Sequence, residues 1–359
     1  MKLEGREWSE FFIGAKEGIF DITSSSSGID KNKLQFSEQK AYIPYITRSD
    51  EDNGINLFIQ AEQKDKYKID NGDVITIGLD TQTVFYQPYK FYTGQNIQVL
   101  RHEKISKYLA NFVIPLIKVQ MEKFNCGGNG ATLGRLFKTR LMLPSNKNNK
   151  PDYSFMEYYS KSIFKTKDEK YLYYIKKVLE KLEYKKIVSL EEKEWREFFI
   201  SDICEIRAGK RLTKADMQEG NKPFIGSSDS NNGITNFVSN TNSSEDSNIL
   251  GVNYNGSVVE NFYHPYKAIF SDDVKRLSLK DIVGNEYLYL FIKNVILKQK
   301  SKYQYAYKFN EKRLKRQKIL LPINDKEEVD YVYMEQYIKN IKVKKIKQYL
   351  DFKTKTEEK

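Results

Sequence analysis

The sequence predicts an α+β protein in which one mixed, β-rich domain occurs twice, each copy closed by a helix. An ordered set of landmarks recurs at a nearly constant shift, as a duplication requires. Short β-rich runs such as Val74-Ile75-Thr76-Ile77 and Ile249-Leu250-Gly251-Val252 lie between Ser/Gly/Asn-rich turns. Apolar residues at helical spacing then follow in both copies.

The landmarks run in order. Glu7-Trp8-Ser9-Glu10-Phe11-Phe12-Ile13 returns as Glu194-Trp195-Arg196-Glu197-Phe198-Phe199-Ile200, 187 residues on, and these segments hold both tryptophans. Pro44-Tyr45-Ile46 with Asn53-Gly54-Ile55 matches Pro223-Phe224-Ile225 with Asn232-Gly233-Ile234. Phe85-Tyr86-Gln87-Pro88-Tyr89-Lys90 matches Phe262-Tyr263-His264-Pro265-Tyr266-Lys267. Arg135-Leu136 and Leu141-Met142-Leu143-Pro144 return as Arg313-Leu314 and Ile319-Leu320-Leu321-Pro322, a shift of 178. Asp152-Tyr153, Met156-Glu157 and Tyr159 recur as Asp330-Tyr331, Met334-Glu335 and Tyr337. Such a period is far too long for a solenoid, so each copy is expected to carry its own core.

Helices are expected through Leu109, Val113, Leu116 and Ile117, and through Leu288, Phe291, Ile292 and Val295. A closing helix carries Leu172, Ile175, Leu179 and Leu182 in copy one, and Met334, Ile338, Ile341 and Tyr349 in copy two. Each closing helix is polar elsewhere, so its narrow apolar stripe suits a partner helix, and pairing between the two is expected ahead of docking on the parent domain. The expected boundaries are a first domain over 1–150, helix and linker over 151–190, a second domain over 191–325, and a C-terminal helix over 326–359.

With 359 residues, 40% of them hydrophobic, the chain can build two or three cores. No apolar run is long enough to span a membrane and the start carries no secretion signal, so a cytoplasmic protein is expected. Two cysteines, Cys126 and Cys204, exclude a disulfide scaffold. The formal charge of +12 accompanies 26 Tyr and 21 Phe, a folded basic composition that suits a polyanion. A lysine-rich genome alone would also raise the charge.

Catalytic signatures are scarce. His102 and His264 occupy non-equivalent positions, which argues against a His-based triad or a metal site. Gly127 to Gly134 lacks the Gly-Lys-Ser/Thr ending of a phosphate loop, and copy two has Tyr303 to Lys308 there instead. Pro151-Asp152 with Glu191-Glu192-Lys193 imitates a nuclease spacing in a chain that is 30% charged. No Asn-Pro-Pro-aromatic or Asp-Pro-Pro-aromatic motif is present, so amino-methyl transfer is not expected of this chain.

Basic and polar segments are more informative. Residues 293–318 hold ten Lys/Arg against the single acid Glu311, with Tyr303, Tyr305, Tyr307 and Phe309 interleaved. Here Lys308, Arg313 and Arg316, with Arg135, Lys138 and Arg140 of copy one, suit phosphate clamping, and Tyr305 and Tyr307 suit packing on sugars or bases. The loops Thr47 to Gly54 and Gly226 to Gly233 offer base-reading side chains. Arg48, Ser49, Ser227 and Ser228 are placed nearer DNA, and Asn53 and Asn232 serve chiefly as scaffold, with DNA contact as the lesser alternative. Lys90, Lys210 and Arg211 complete the expected contacts.

The two copies resemble the target-recognition domain of type I restriction-modification specificity subunits and of related type IIB systems. The resemblance rests on Trp8 to Ile13, Pro44 to Arg48 with Asn53-Gly54-Ile55, and Gly127 to Pro144, with their counterparts in copy two. It covers nearly the whole chain. It implies tandem target-recognition domains, each reading one half of a split double-stranded DNA site, separated by spacer helices. It implies partner DNA adenine methyltransferase subunits that use S-adenosylmethionine, usually with a restriction nuclease subunit, and no cofactor or metal in this chain. The closing helices read as short for a type I spacer, which favours a type IIB-like arrangement. Two other classes stay open: a DNA nuclease with an unrecognised site, separable by a metal-dependent cleavage assay, and a non-DNA interaction module, whose binding would be indifferent to salt.

Overall fold

The computed structural model describes residues 3–14, 16–36, 42–124, 130–303 and 307–357. It divides into two units, one up to Tyr171 and one from Leu172. The first copy runs β1 (Trp8–Phe12), β2 (Asp21–Ser24), β3 (Ile43–Ile46), β4 (Ile55–Ile59), β5 (Val74–Gly78), β6 (Val84–Gln87), β7 (Tyr92–Thr93), β8 (Ile97–Arg101), α1 (Lys107–Met121), α2 (Leu133–Lys138), β9 (Arg140–Pro144) and α3 (Tyr153–Glu180). The second repeats that order, with one added turn, as β10 (Trp195–Phe199), α4 (Ile200–Ile203), β11 (Cys204–Ala208), β12 (Glu219–Ile225), β13 (Ile234–Val238), β14 (Ile249–Asn253), β15 (Asn261–His264), β16 (Ile269–Phe270), β17 (Val274–Leu279), α5 (Glu286–Leu297), α6 (Glu311–Arg316), β18 (Lys318–Pro322) and α7 (Tyr331–Glu357).

The recurring Trp and Leu-Pro segments, far apart in sequence, are partners. β1 pairs antiparallel with β9, Trp8 opposite Pro144, and β10 pairs with β18 in the same register, Trp195 opposite Pro322. Each copy also holds a four-stranded antiparallel sheet, β2-β8-β5-β6 and β11-β17-β14-β15, and a three-stranded sheet, β4-β3-β7 and β13-β12-β16. The outer pair of each smaller sheet, β3 with β7 and β12 with β16, is parallel.

Alternation and helical period meet in the cores. Leu109, Val113 and Ile117 of α1 pack on Ile75, Ile77 and Leu100. Leu288, Phe291 and Ile292 of α5 pack on Leu250, Val252 and Leu277. Helix starts are capped: Ser106 Oγ accepts from Leu109 N–H, and Asn285 Oδ1 accepts from Tyr287 and Leu288 N–H. Those caps also reach the closing helices. Ser106 Oγ donates to Glu157 at 2.8 Å and Asn285 Nδ2 to Glu335 at 2.8 Å, which explains why Met-Glu recurs.

The closing helices correct two expectations. Met334, expected on a partner face, is fully buried in its own core, as is its counterpart Met156. Leu182 lies beyond α3, which ends at Glu180. The helices are 28 and 27 residues long, longer than their apolar stripes, because polar faces carry no periodic signal. Ile175 is buried, Leu172 and Leu179 are half-buried, and all three belong to the second unit. Residues after α3 lie against α7. Asn340 bonds both Lys185 N–H, at 3.1 Å, and Lys185 C=O, at 2.6 Å, and Gln336 Nε2 donates to Glu183 C=O. Ile338 is half-buried against the second core, while Ile341 is 39% exposed.

Candidate nucleic-acid interface

The two polar loops are shaped by the same corner. Asn53 (φ 59°) and Gly54 (φ 78°) have the left-handed backbone of Asn232 (φ 54°) and Gly233 (φ 72°), a region open mainly to Gly and Asn. Asn53 Nδ2 donates to Tyr86 C=O at 2.9 Å, and Asn232 Nδ2 donates to Tyr266 Oη at 2.8 Å. Asn53 thus holds its loop on the neighbouring strand, and Asn232 holds its own on the turn that follows β15. Ser49 Oγ accepts from Glu51 N–H and Ser228 Oγ from Ser230 N–H, both at 3.1 Å, tightening the tips.

In the first unit, the turn between β5 and β6 gathers the loop and the basic helix. Asp80 forms an ion pair with Arg48. Leu79 C=O accepts from Ala131 N–H at 3.1 Å, which ties the α2 approach to the same turn. Arg135 Nη1 donates back to Gly130 C=O at 2.8 Å. Arg48 and the approach to α2 therefore come together at Leu79 and Asp80, with Lys138 at the end of the short helix.

The second unit rebuilds this meeting with other residues. Asn253 Nδ2, at the end of β14, donates to Ser228 C=O at 2.9 Å, and Ser257 N–H donates to Ser227 C=O at 3.2 Å. Lys275 stands over the Tyr254 ring at 5.0 Å and reaches Glu311, the first residue of α6, at 3.4 Å. The Glu311 carboxyl is held below its ordinary range chiefly by its hydrogen bond from Lys315. Arg313 Nη1 donates to Lys308 C=O at 2.7 Å, the counterpart of Arg135 on Gly130. The two arginines thus share a contact that braces the loop ahead of the short helix.

Aromatic and cationic groups form a ledge beside α6. Arg313 lies 3.6 Å above the Tyr307 ring, which stacks on Tyr303 at 5.8 Å and 11°. Tyr307 is half exposed, and Arg316 is exposed at the end of α6. Tyr305 lies outside the described residues. Arg211 and Ser227 line one groove with Thr235 and Asn236, and Lys210 is exposed beside it. Lys90 is exposed after the aromatic-Pro turn. Arg140 lies on the opening ribbon, paired with Glu10 at 2.8 Å over the Phe12 ring, as Lys318 is with Glu197 and Phe199.

The remaining sequence candidates for chemistry are structural. His264 is fully buried beside Tyr266, its Nε2 without a partner, and burial pushes its pKa down to about 4. Asp152 and Lys193, which imitated nuclease spacing, sit in separate ion pairs with Arg6 and Asp330. Sequence reasoning missed Asp80, Asn253 and Lys275. They fall on the turn and strand that differ between copies, so the repeat gave no signal for them.

A second surface recurs. Trp195 stacks on Phe291 at 6.2 Å, with Tyr337 edge-on to it, and Trp8 stacks on Phe112 at 6.5 Å, with Tyr159 edge-on. In the second unit Trp195, Phe291, Val295, Leu320 and Ile341 line an open apolar groove together with Lys298 and Lys302. Leu320 is 53% exposed and its counterpart Met142 is 47% exposed.

Comparison with known proteins agrees with the duplication. A family described as type I restriction modification DNA specificity domain matches residues 6–181 and again 192–350. The specificity subunit S.BcgI of a type II restriction enzyme from Heyndrickxia coagulans is 41% identical over 333 residues, spanning 92% of this chain and 94% of its own. The S subunit of a type I restriction-modification system from M. genitalium has the same fold, with a TM-score of 0.51 at 15% identity over 98% of this chain and 93% of that one.

Proposed function

The chain belongs to the type I restriction-modification DNA specificity family as a non-catalytic specificity subunit, and on that premise we propose how it reads DNA and whom it serves. Each unit reads one half of a split, asymmetric site in double-stranded DNA. The carrying observation is that both units assemble a polar loop and a basic helix around one strand turn, while the side chains there differ. A retained frame with divergent reading residues is what two different half-sites require. Arg48, Ser49 and Lys138 serve the first half. Ser227, Ser228, Arg211, Tyr307 and Arg316 serve the second, the cations meeting phosphates and the loop residues base edges.

Partner subunits supply the chemistry. DNA adenine methyltransferase subunits using S-adenosylmethionine, together with a restriction nuclease, assemble on this chain in the cytoplasm. The apolar faces around Trp8 and Trp195 support docking of such partners, because exposed apolar patches rimmed by charge mark interaction surfaces. Helices α3 and α7 act as spacers. The relative at 41% identity serves a type II enzyme, which supports a type IIB-like arrangement.

Genome-wide mapping of methylated adenine in the source strain, with and without this gene, tests the reading. Loss of one split motif, two short halves around a fixed gap, is the expected result. Unchanged methylation where the neighbouring methyltransferase is active sinks it.

A further inference from the structure

We propose that Arg48 reads a guanine in the half-site of the first unit, and that Asp80 is the positioning residue that presents it. The proposal rests on the half-site reading above and assigns a base to one side chain. Arg48 is the sole arginine in the two polar loops, since Gly226 to Gly233 holds none.

The surroundings of Arg48 are built for it. Its stem crosses β5 at Gly78, where a Cβ would stand 3.5 Å from Arg48 Cγ and only 2.6–2.7 Å from the Thr83 and Thr81 hydroxyls. The two threonine hydroxyls are what crowd Gly78, and the Arg48 stem runs beside it in ordinary contact. The carboxylate of Asp80 takes one N–H of the guanidinium. Asp80 is itself held in place. Gln82 Nε2 donates to its carbonyl at 2.8 Å, and Asn96 Nδ2 lies 3.4 Å from its carboxylate. Both members of the pair stay partly open to solvent, the side chains 41% and 36% exposed.

Two physical arguments turn this geometry toward guanine. A guanidinium carries five N–H groups in a rigid fork, so one spent on Asp80 leaves a parallel pair for the O6 and N7 acceptors of guanine. Holding the fork before DNA arrives also lowers the ordering cost of binding. A carboxylate at the same spot repels a charged phosphate more strongly than a neutral base edge, which favours a reading arginine over a clamping one.

The second unit has other residues at two of these places. Ser227 stands at the place of Arg48, and Asn253, at the sheet position of Gly78, bonds Ser228 C=O. Guanine reading by this device is therefore confined to one half of the site.

The test is adenine-methylation mapping with the assembled enzyme carrying the wild-type chain, Arg48→Ala, Asp80→Ala, Asp80→Glu, or Arg48→Ala with Asp80→Ala. The wild-type motif is expected to hold a guanine that Arg48→Ala alone relaxes to any base, with discrimination there falling roughly 10- to 100-fold and the other half unchanged. Asp80→Ala is expected to relax the same position less, Asp80→Glu to restore it, and the double variant to equal Arg48→Ala. Thermal midpoints should stay at the wild-type value, which a merely structural role for Asp80 would not allow. A motif with no guanine in either half, or an Arg48→Ala enzyme that weakens all sites alike without relaxing a base, overturns the proposal and leaves the half-site reading standing. A wild-type chain that directs no split motif removes both.

Discussion

Asp330 joins the start of α7 to the segment ahead of β10: its Oδ1 accepts from Tyr333 N–H at 2.9 Å and its Oδ2 holds Lys193 Nζ at 2.8 Å. Asp152 does the same for α3, capping Phe155 N–H and holding Arg6 at 2.9 Å, and each cation also lies over the ring next to the cap. One carboxylate thus fastens the closing helix to the opening ribbon in each copy. Asp330→Ala is expected to destabilise the second unit by about 2 kcal/mol, combining a lost cap with a half-buried ion pair. Asp330→Asn, which keeps an acceptor, is expected to lose about half of that. Urea unfolding measures both, and equal losses would show that the cap contributes nothing beside the ion pair.

Burial of His264 sets a pH dependence. Its folded pKa is about 4 against an ordinary 6.5, so the unfolded chain takes up the proton first as pH falls. Stability from this residue is complete above pH 6.5 and declines towards pH 4, by up to about 3 kcal/mol. Gln87 fills the matching place in the first unit, bonding Asn53 C=O at 3.1 Å. His264→Gln should therefore flatten the unfolding-midpoint curve between pH 6.5 and 4. A variant with the wild-type slope would assign the pH dependence to other groups.

Cations that touch phosphate act alike on every sequence. Lys138→Ala and Arg316→Ala are expected to weaken binding of cognate and unrelated DNA together. Each should reduce the slope of log affinity against log salt by about 1. Anisotropy titrations of the assembled enzyme at several salt concentrations give that slope, and a loss confined to cognate DNA would make either residue a base reader instead.

Leu320→Glu and Met142→Glu place a charge on the apolar faces beside Trp195 and Trp8. Both positions are about half exposed, so the unfolding midpoint is expected to stay near wild type. Co-purification with the methyltransferase subunit is expected to fall sharply, more so in the double variant. Retained co-purification with both charges in place would show that the partner docks elsewhere.

The duplication, the two cores and their helices were legible because apolar residues must recur with the period of the element that buries them. Val74 to Ile77, and Leu109, Val113 and Ile117, show this, lying buried where their spacing placed them. The site was less legible. Arg48 and the Asn-Gly corners stood out by residue type, whereas Asp80, Asn253 and Lys275 carry no pattern, since nothing local distinguishes a turn residue that meets a loop 25 or more positions away.

What the sequence determined by itself is the repeat, its order of elements and the retained frame, because these follow from local periodicity and from comparing one copy with the other. Tertiary structure alone decided which polar groups meet. It paired Trp8 with Pro144 across the ribbon, tied one N–H of Arg135 and of Arg313 to a loop carbonyl, buried Met334 in its own domain and set Asp80 beside Arg48. Hydrogen bonds and ion pairs depend on distances of a few ångströms between residues remote in sequence, and only the folded chain sets those distances.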